Sequence, residues 1–398
     1  MVTVEEAEGI IFSNLLQFRT ESIAVENATG RTLAEAIAAD RDFPPFDRVA
    51  MDGIAIAFEV FENGQRVFTI EATQAAGEPA RTLDNRQHCI EVMTGAVLPV
   101  GTDTVIRYED LTIKDGVANI NQETIRGQNI HKRAADAQAG EVLLEKPLLI
   151  SPAEVALLAA VGKTRVTVYC YPRTALISSG DELVDVGEVP APHQIRRSNV
   201  YALEGALSSM RLPAQRYHFP DNRDVLLREF KSLLDQNDVL ILSGGVSKGK
   251  FDYIPSVLEE LGVEKKFHQV SQRPGKPFWF GVAPGPKVVF ALPGNPVSTF
   301  MCFYRYIQPW IMHSLGVPLQ PYFATLAEDV RTALPLTFFL QVRVVREGTK
   351  TMAYAVTGGG SGDFANLTKV TGFLELPPSG SGFRAGETFR YFPFRQGS

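Results

Sequence analysis

The 398-residue sequence is poor in the residues that build metal and disulfide sites. Its three cysteines, Cys89, Cys170 and Cys302, lie far apart without metal-ligand spacing, and its six histidines are scattered. A disulfide framework, a zinc site and a cysteine–histidine catalytic pair are therefore not expected. The cysteines are expected to be reduced thiols, as in a cytoplasmic protein.

Long apolar runs and a positive charge balance are also absent. No apolar run approaches the roughly 18 residues that a membrane-spanning helix requires. The N-terminus lacks the basic and then apolar pattern of a signal peptide. The formal net charge of -6 argues against a nucleic-acid partner. A composition of 45% hydrophobic and 21% charged residues is typical of a soluble protein, and the length predicts about two to four domains.

The residue pattern changes along the first half of the chain. Apolar residues at helical spacing over 3–19 predict an opening amphipathic helix. From Phe43 to about Leu149, short β-type runs alternate with Gly, Pro, Asn and Asp, which predicts a small β domain. A helix is predicted over Ser151–Val161, with Ser151 as its N-cap.

Strands and helices then alternate between Val166 and Leu315, which is the pattern of a doubly wound α/β domain with a parallel sheet. After Pro318 the chain becomes β-like again, with runs at Phe338–Val345 and Thr351–Val356. The predicted strands of the α/β domain are Thr174–Ser178, Val239–Leu242 and Lys287–Leu292, and its predicted helices are Ser198–Met210, Asp224–Gln236, Asp252–Leu261 and Pro296–Leu315.

These three predicted strands run directly into short loops that contain glycine. The loops are Ile177–Leu183, Ile241–Tyr253 and Ala291–Ser298. Because the carboxyl ends of parallel strands meet at one edge of a sheet, where ligands bind, we expect the loops to form one site. Their glycines leave backbone N–H groups open to a phosphate, and two of the loops carry carboxylates for a hard cation. The edge is predicted to bind an anionic, phosphate-bearing ligand.

The second of these loops carries the strongest local signal. Gly244, Gly249 and Lys250 match the spacing of a P-loop, but Phe251 stands where that loop needs a Ser or Thr hydroxyl for magnesium. We therefore reject a P-loop NTPase. Asp252 has two interpretations, as a functional carboxylate or only as the N-cap of the following helix.

Other charged residues also have two interpretations each. Asp181 and Glu182 stand at the tip of the first loop, as solvated acids or as part of the site. Arg273 and Lys276 flank a proline-stiffened turn, as solvated cations or as partners of a phosphate. The first interpretation in each pair needs no ligand, and the second places the charge beside the predicted anion.

The small β domain offers two further candidate segments. Asp47 and Asp52 follow a stiff Pro44-Pro45 pair, either on a rigid turn with solvated acids or on a loop that faces a ligand or a partner subunit. Thr94 precedes a glycine at a strand end, which is either a plain turn or a hydroxyl donor for an oxyanion.

Seven segments, taken in order, resemble the molybdopterin molybdenumtransferase family, which includes the MoeA proteins and the gephyrin E domain. Their order and spacing match the family over most of the chain. They are PPFDRVAMDG (Pro44–Gly53), MTGAVLPVGTD (Met93–Asp103), SSGDEL (Ser178–Leu183), QIRRSN (Gln194–Asn199), LSGGVSKGKFDY (Leu242–Tyr253), RPGKPF (Arg273–Phe278) and LPGNPVS (Leu292–Ser298).

The resemblance implies an elongated homodimer of multidomain subunits. It implies Mg²⁺ as the cofactor, adenylylated molybdopterin and molybdate as substrates, and the adenylyltransferase and acceptor molybdoenzymes as partners. The family releases AMP and leaves molybdenum on the dithiolene. The implied domains are an elongated N-terminal domain (1–42 with 137–166), a small β-rich domain (43–136), a MogA-like α/β molybdopterin-binding domain (167–316) and a C-terminal β-barrel-like domain (317–398).

Site residues follow from the same resemblance. Glu182 and Asp252 are the implied metal ligands, and Asp136 is a weaker match to a position tied to activity. The implied catalytic residues are Asp52, Thr94, Glu182, Asp221 and Asp252. The implied binding residues are Ser179, Gly180, Ser243, Gly244, Gly245, Ser247, Arg273, Lys276, Pro293, Gly294, Asn295 and Pro296.

Three positions depart from the family pattern. Arg273 and Gln269 stand where lysine is common, and Gln341 replaces the first arginine of a C-terminal Phe-Leu-Arg-Val-Arg run. These changes predict a less basic anion pocket. They leave a non-catalytic molybdopterin-binding scaffold and a tungstate-specific insertase as alternatives, and the similar α/β domain of a molybdopterin adenylyltransferase adds a third. The β domain that carries Asp52 and Thr94 argues against the adenylyltransferase.

Overall fold

The computed structural model describes residues 1–246, 252–332 and 334–395. Separate β-sheets organise its successive parts, and the central part adds helices on both faces of its sheet. No helix within the described ranges is long and apolar enough to cross a membrane.

The first 170 residues form short strands and short helices. The predicted small β domain is a six-stranded sheet in the order β8-β5-β7-β6-β10-β9, and β1, β14, β2 and β13 form a separate sheet. The helices are α1 (Val4–Phe12), α2 (Phe58–Glu62) and α3 (Pro152–Ala160). The strands are β1 (Thr20–Ala24), β2 (Thr32–Leu33), β3 (Ile37–Ala38), β4 (Arg48–Val49), β5 (Gly53–Ile56), β6 (Val67–Gln74), β7 (His88–Val92), β8 (Thr104–Arg107), β9 (Leu111–Lys114), β10 (Val117–Ile120), β11 (Ile130–His131), β12 (Val142–Leu144), β13 (Leu148–Leu149) and β14 (Arg165–Tyr169).

The ends of two helices are set by side-chain caps. Ser151 caps α3 as predicted, in a capping box with Glu154. Helix α1 ends at Phe12 rather than near residue 19. There the side chains of Ser13 and Asn14 donate to main-chain carbonyls of the preceding turn at 2.7 Å each, and such bonds compete with continued helix. The buried face of α1 packs into the core of the α/β part of the chain.

The α/β part is built on a six-stranded sheet in the order β18-β15-β19-β23-β22-β20. Helices α4, α7 and α8 contribute to the core on one face, and α5 and α6 to the core on the other. The strands are β15 (Thr174–Ser179), β16 (Leu183–Val184), β17 (Ile195–Arg196), β18 (Ala214–Phe219), β19 (Val239–Ser243), β20 (Glu264–Phe267), β21 (Gln272–Arg273), β22 (Trp279–Ala283) and β23 (Lys287–Leu292). The helices are α4 (Asn199–Ser209), α5 (Arg223–Gln236), α6 (Ile254–Glu260), α7 (Pro296–Cys302) and α8 (Gln308–Ser314).

Two details of this sheet and its last helix differ from the prediction. The first four strands are parallel, whereas β22, which was not among the predicted strands, pairs antiparallel with both β23 and β20. The tight turn at Gly285 (φ 82°) joins β22 to β23 and permits only an antiparallel pair. The predicted helix Pro296–Leu315 is interrupted by a π-helical turn over Phe303–Ile307. Pro309 lacks the N–H that would bond to the Arg305 carbonyl in regular helix.

The C-terminal part is a closed five-stranded barrel, which confirms the β-barrel-like prediction. Its strands are β24 (Tyr322–Leu326), β25 (Thr337–Glu347), β26 (Lys350–Ala355), β27 (Gly372–Leu376) and β28 (Thr388–Pro393). Their order is β25-β26-β24-β28-β27, and β27 pairs back to β25. Strand β21 also pairs with β25, in parallel, so this pair joins the barrel to the α/β part.

Candidate active site

The three glycine-containing loops meet at the carboxyl edge of the sheet, as predicted. Strand register places Ser178 beside Ser243, and Ser243 beside Leu292, at the ends of β15, β19 and β23. The Gly244 N–H donates to the Leu292 carbonyl at 3.1 Å. A Cβ added to Gly244 would lie 3.1 Å from the Ser179 carbonyl oxygen, and one added to Gly294 would lie 3.7 Å from Gly244 Cα. The loops therefore touch one another through their backbones.

The second loop depends on glycine for its shape. Gly244 and Gly245 have φ angles of 99° and 67°, which disfavour other residues. A Cβ on Gly245 would lie 2.4 Å from Ile254 Cδ1, at the first residue of α6. Ser247, implied as a binding residue, lies outside the described residues. The N-cap of α6 is Tyr253, so the interpretation of Asp252 as the N-cap was wrong, and Asp252 stands one residue before it.

Acidic and hydroxyl side chains from β15 and β18 converge at the first loop. The Ser179 hydroxyl donates to Asp221 Oδ1, and the Asp221 N–H donates to Asp181 Oδ1 at 3.3 Å. A Cβ on Gly180 (φ 145°) would lie 2.6 Å from a Glu182 carboxylate oxygen, so this carboxylate folds back over the glycine. The structure thus brings Glu182 and Asp221 to the same loop from distant parts of the sequence.

His218, near the end of β18, contacts this acidic loop. No histidine was predicted to belong to the site. The Nδ1 of His218 lies 3.1 Å from Ser178 Oγ. Burial, together with the positive charge of Arg197, lowers the pKa of His218 below its usual value. A neutral imidazole is therefore favoured beside the loop, where it can exchange hydrogen bonds without adding charge. Its position at the end of β18 was the signal available in the sequence.

The third loop is covered by a glycine-rich segment of the barrel. Asn295 Nδ2 donates to Ser361 Oγ at 2.8 Å, and the Val297 N–H donates to the Ser361 carbonyl at 3.1 Å. Pro296 is the first residue of α7, where a missing N–H costs no hydrogen bond. Ser361 was not among the predicted site residues because its partner is more than sixty residues away in sequence.

A cleft of about 960 Å³ opens between the third loop and the barrel. Its lining includes Arg273, Lys276, Pro293, Asn295 and Ser361. Both cations are exposed, and Ser298 and Arg331 also line the cleft, together with the acids Glu328 and Asp329. Gln341 lies in the wall and bonds through its side chain to Asn366 at 3.2 Å. The cleft can take an oxyanion against two or three cations and several hydroxyls.

In the small β domain, Asp52 and Thr94 form a tight pair. The backbone N–H and the hydroxyl of Thr94 donate to Asp52 Oδ1 at 2.6 and 2.7 Å. These two bonds lower the pKa of Asp52. Nearby, the Tyr108 hydroxyl donates to Glu91 at 3.0 Å, and burial with this bond raises the pKa of Tyr108 to about 12. Asp52 is therefore a fixed, exposed carboxylate anion.

Asp47 and Asp136 are engaged in local bonds. Asp47 accepts from Lys132 Nζ at 2.9 Å and from the Arg133 N–H at 2.8 Å. Asp136 lies 2.9 Å from His131 Nε2. Asp47 thus holds the proline-stiffened segment in place, which favours its interpretation as part of a rigid turn.

The bonds of Asp52 and Thr94 stay within the small β domain. The core residues beneath this pair lie in clusters that contain only residues of the small β domain. With Asp252 left aside, no hydrogen bond or ion pair among the described residues links 48–131 to 172–395. The same described residues contain no group of three or more His, Cys, Asp or Glu side chains placed to hold a metal ion.

Fold and site together define a multidomain protein with an anion cleft at the edge of an α/β sheet. Three family models match it in order. They are "MoeA N-terminal region (domain I and II)" over residues 2–162, "Probable molybdopterin binding domain" over 175–313 and "MoeA C-terminal region (domain IV)" over 324–394.

Full-length relatives agree with these family models. A molybdopterin molybdenumtransferase from Synechocystis sp. is 39% identical over 98% of this chain and 100% of its own length. One from Haemophilus influenzae is 30% identical over 99% of both chains. Two crystal structures of a MoeA protein from Pyrococcus horikoshii have TM-scores of 0.84, identities of 29% and 25%, and coverage of 99% or more of this chain and 100% of theirs. The chain belongs to the molybdopterin molybdenumtransferase (MoeA) family.

Proposed function

We propose that this chain transfers molybdenum from molybdate to adenylylated molybdopterin, with release of AMP. Its family membership makes it a transferase of molybdenum cofactor biosynthesis. The observation that carries the detailed proposal is the meeting of three glycine-containing loops beside a cleft with Arg273 and Lys276. A phosphoanhydride and an oxyanion need such backbone and cationic donors side by side.

The two anionic substrates are assigned to adjacent parts of this edge. The glycines of the second loop, with Ser179 and Ser243 on the neighbouring strand ends, receive the phosphate groups of the pterin nucleotide. The cleft receives molybdate between Arg273, Lys276 and the hydroxyls that line it. Water cleaves the phosphoanhydride and the adenylyl group leaves as AMP, while the two dithiolene sulfurs replace two oxygens of molybdate, which leave as water.

Mg²⁺ is the proposed cofactor, with Glu182 and Asp252 as its ligands. The donor set fits, because Mg²⁺ takes one or two carboxylates and completes its shell with water and substrate phosphate oxygens. Bound there, the ion would neutralise charge on the departing phosphate. Asp221, held by Ser179, lies on the same loop edge as Glu182.

We further propose a cytoplasmic homodimer with a composite site. Asp52 is exposed, ionised and held by Thr94, yet its bonds and the core beneath it belong to its own domain. In a two-fold dimer, the small β domain of one protomer would face the loops of its partner. A monomeric mass by light scattering from a fully active protein would refute this arrangement.

The test of the activity uses the purified chain with adenylylated molybdopterin, Mg²⁺ and molybdate. Release of one AMP for each molybdenum incorporated is the expected result. Formation of adenylylated pterin from ATP and molybdopterin would identify an adenylyltransferase instead. Binding without turnover would identify a scaffold. Repeating the assay with tungstate in place of molybdate distinguishes this activity from that of a tungstate-specific insertase.

A further inference from the structure

Asn199, the first residue of α4, spans two of the three loops with one side-chain amide. Its Nδ2 donates to Ser243 Oγ at 2.8 Å and to the Gly294 carbonyl at 2.7 Å, and lies 3.4 Å from Thr299 Oγ1. Ser243 ends β19, Gly294 lies in the third loop and Thr299 is in α7. One amide therefore connects the second and third loops to the helix that follows the first loop.

The orientation of this amide is fixed by chemistry. The Gly294 carbonyl can only accept, so the NH₂ group must face it. Asn199 Oδ1 is buried and has no hydrogen-bond partner among the described residues. A buried acceptor without a partner is unfavourable. The hydrogen bonds that Asn199 contributes are therefore the ones that its Nδ2 donates.

The tether also orients a backbone donor of the cleft. The Gly294–Asn295 peptide is not among the cis bonds of the described chain. In a planar trans peptide, the carbonyl and the following N–H point to opposite sides. By holding the Gly294 carbonyl, Asn199 holds the N–H of Asn295, a cleft-lining residue, on the opposite side.

We propose that Asn199 is a positioning residue that sets the spacing between the second and third loops, and with it the affinity for the phosphate-bearing pterin. The identity of the ligand in this inference rests on the proposed function, whereas the hydrogen bonds of Asn199 do not depend on it. The residue acts through Ser243 and Gly294 rather than by touching the reacting atoms.

The variant Asn199→Asp separates this role from a helix-start role. Aspartate has nearly the same shape but, as a carboxylate, donates no hydrogen bond. At the first position of α4 a negative charge interacts favourably with the helix dipole. If Asn199 only begins the helix, the variant is as stable as wild type and its loops are unchanged.

The experiment measures hydrogen–deuterium exchange in the peptides 239–246 and 291–299 of the full chain, and then KM and kcat. We expect exchange at least tenfold faster in both peptides, a KM for the pterin raised at least tenfold and a kcat within a few-fold of wild type. The control Asn237→Asp makes the same change at the opposite edge of the sheet, where Nδ2 donates to the Leu233 carbonyl at 3.0 Å. It should leave exchange in the third loop unaltered.

Unchanged exchange in both peptides of Asn199→Asp would overturn the proposal. Asn199→Ser, which keeps one shorter donor, provides a second variant and should fall between wild type and Asn199→Asp. If wild type releases no AMP, the proposed function fails, while the exchange measurement still decides the role of Asn199.

Discussion

Thr94 donates both its backbone N–H and its hydroxyl to the same oxygen of Asp52. A carboxylate that accepts two such bonds stays ionised at lower pH than a free one. The pair therefore presents a fixed negative charge on the exposed edge of the small β domain. In the proposed dimer this charge would face the loops of the partner protomer.

Replacing Thr94 with valine should weaken this control of Asp52. Thr94→Val keeps the backbone bond but removes the hydroxyl, so the pKa of Asp52 should rise. The acid limb of the pH profile for AMP release should move to higher pH, whereas turnover at neutral pH, where Asp52 stays ionised, should remain close to wild type. Thr94→Ser keeps the hydroxyl and serves as the control. An unshifted acid limb in Thr94→Val would show that the hydroxyl does not act on Asp52.

The second loop should tolerate no side chain at Gly245. Gly245→Val places a Cβ near Ile254 Cδ1 and forces a φ of 67° on a branched residue. Affinity for the pterin should fall at least tenfold, about 1.4 kcal/mol, by isothermal calorimetry. Gly64→Ala is a matched control, since Gly64 also has positive φ (101°) but would meet no atom within 4 Å. An unchanged affinity in Gly245→Val would mean that this loop does not bind the ligand.

Asp252→Asn tests the proposed metal role. Asparagine keeps the size and shape of the side chain and its capacity to accept a hydrogen bond, so the melting temperature should hardly change. AMP release should be lost, because a neutral amide holds Mg²⁺ poorly. The measurement compares Tm with turnover across a Mg²⁺ titration. A variant with wild-type turnover at the same Mg²⁺ concentration would remove Asp252 from the metal site.

An ion network links the barrel to α1 and to the α/β part of the chain. It should contribute more to stability than ion pairs on the surface do. Arg305 is 1% exposed and bonds to Glu8 of α1 at 2.8 Å and to Glu375 of β27 at 2.6 Å. Arg305→Met leaves Glu375 without its ion-pair partner and Glu8 with Arg390 alone, and it should cost about 3–5 kcal/mol. Arg126→Met, which removes ion pairs of a 55% exposed arginine, should change stability by under about 0.5 kcal/mol. Equal melting temperatures for both variants would contradict this ranking.

The same network predicts a pH dependence. Burial raises the pKa of Glu8, but the hydrogen bonds and charges of Arg305 and Arg390 outweigh it and hold the pKa below the usual value. A depressed folded-state pKa contributes stability above the unfolded value and loses it as pH falls through the folded value. The stability gap between wild type and Glu8→Gln should therefore be full at neutral pH and shrink below about pH 4.5.

Local patterns were sufficient to predict the loops but not their long-range partners. Apolar runs followed by glycine placed Ser179, Gly244 and Gly294 at one edge of a sheet, because strand direction alone brings them there. The contacts of Ser361 and Asn199 depend on packing between distant segments, which no local pattern encodes. The antiparallel strand β22 and the π-helical turn near Pro309 depend on a single turn and a single missing N–H.

The central claim is that Asp52 and Asp252 work in one site that two protomers build together. Co-expression of Asp52→Asn and Asp252→Asn chains with different tags, followed by tandem purification, isolates the mixed dimer. Each single-variant homodimer should be inactive, whereas the mixed dimer keeps one intact site of two. AMP release at about half of the wild-type rate per dimer is the predicted result. A mixed dimer no more active than either homodimer would contradict the account.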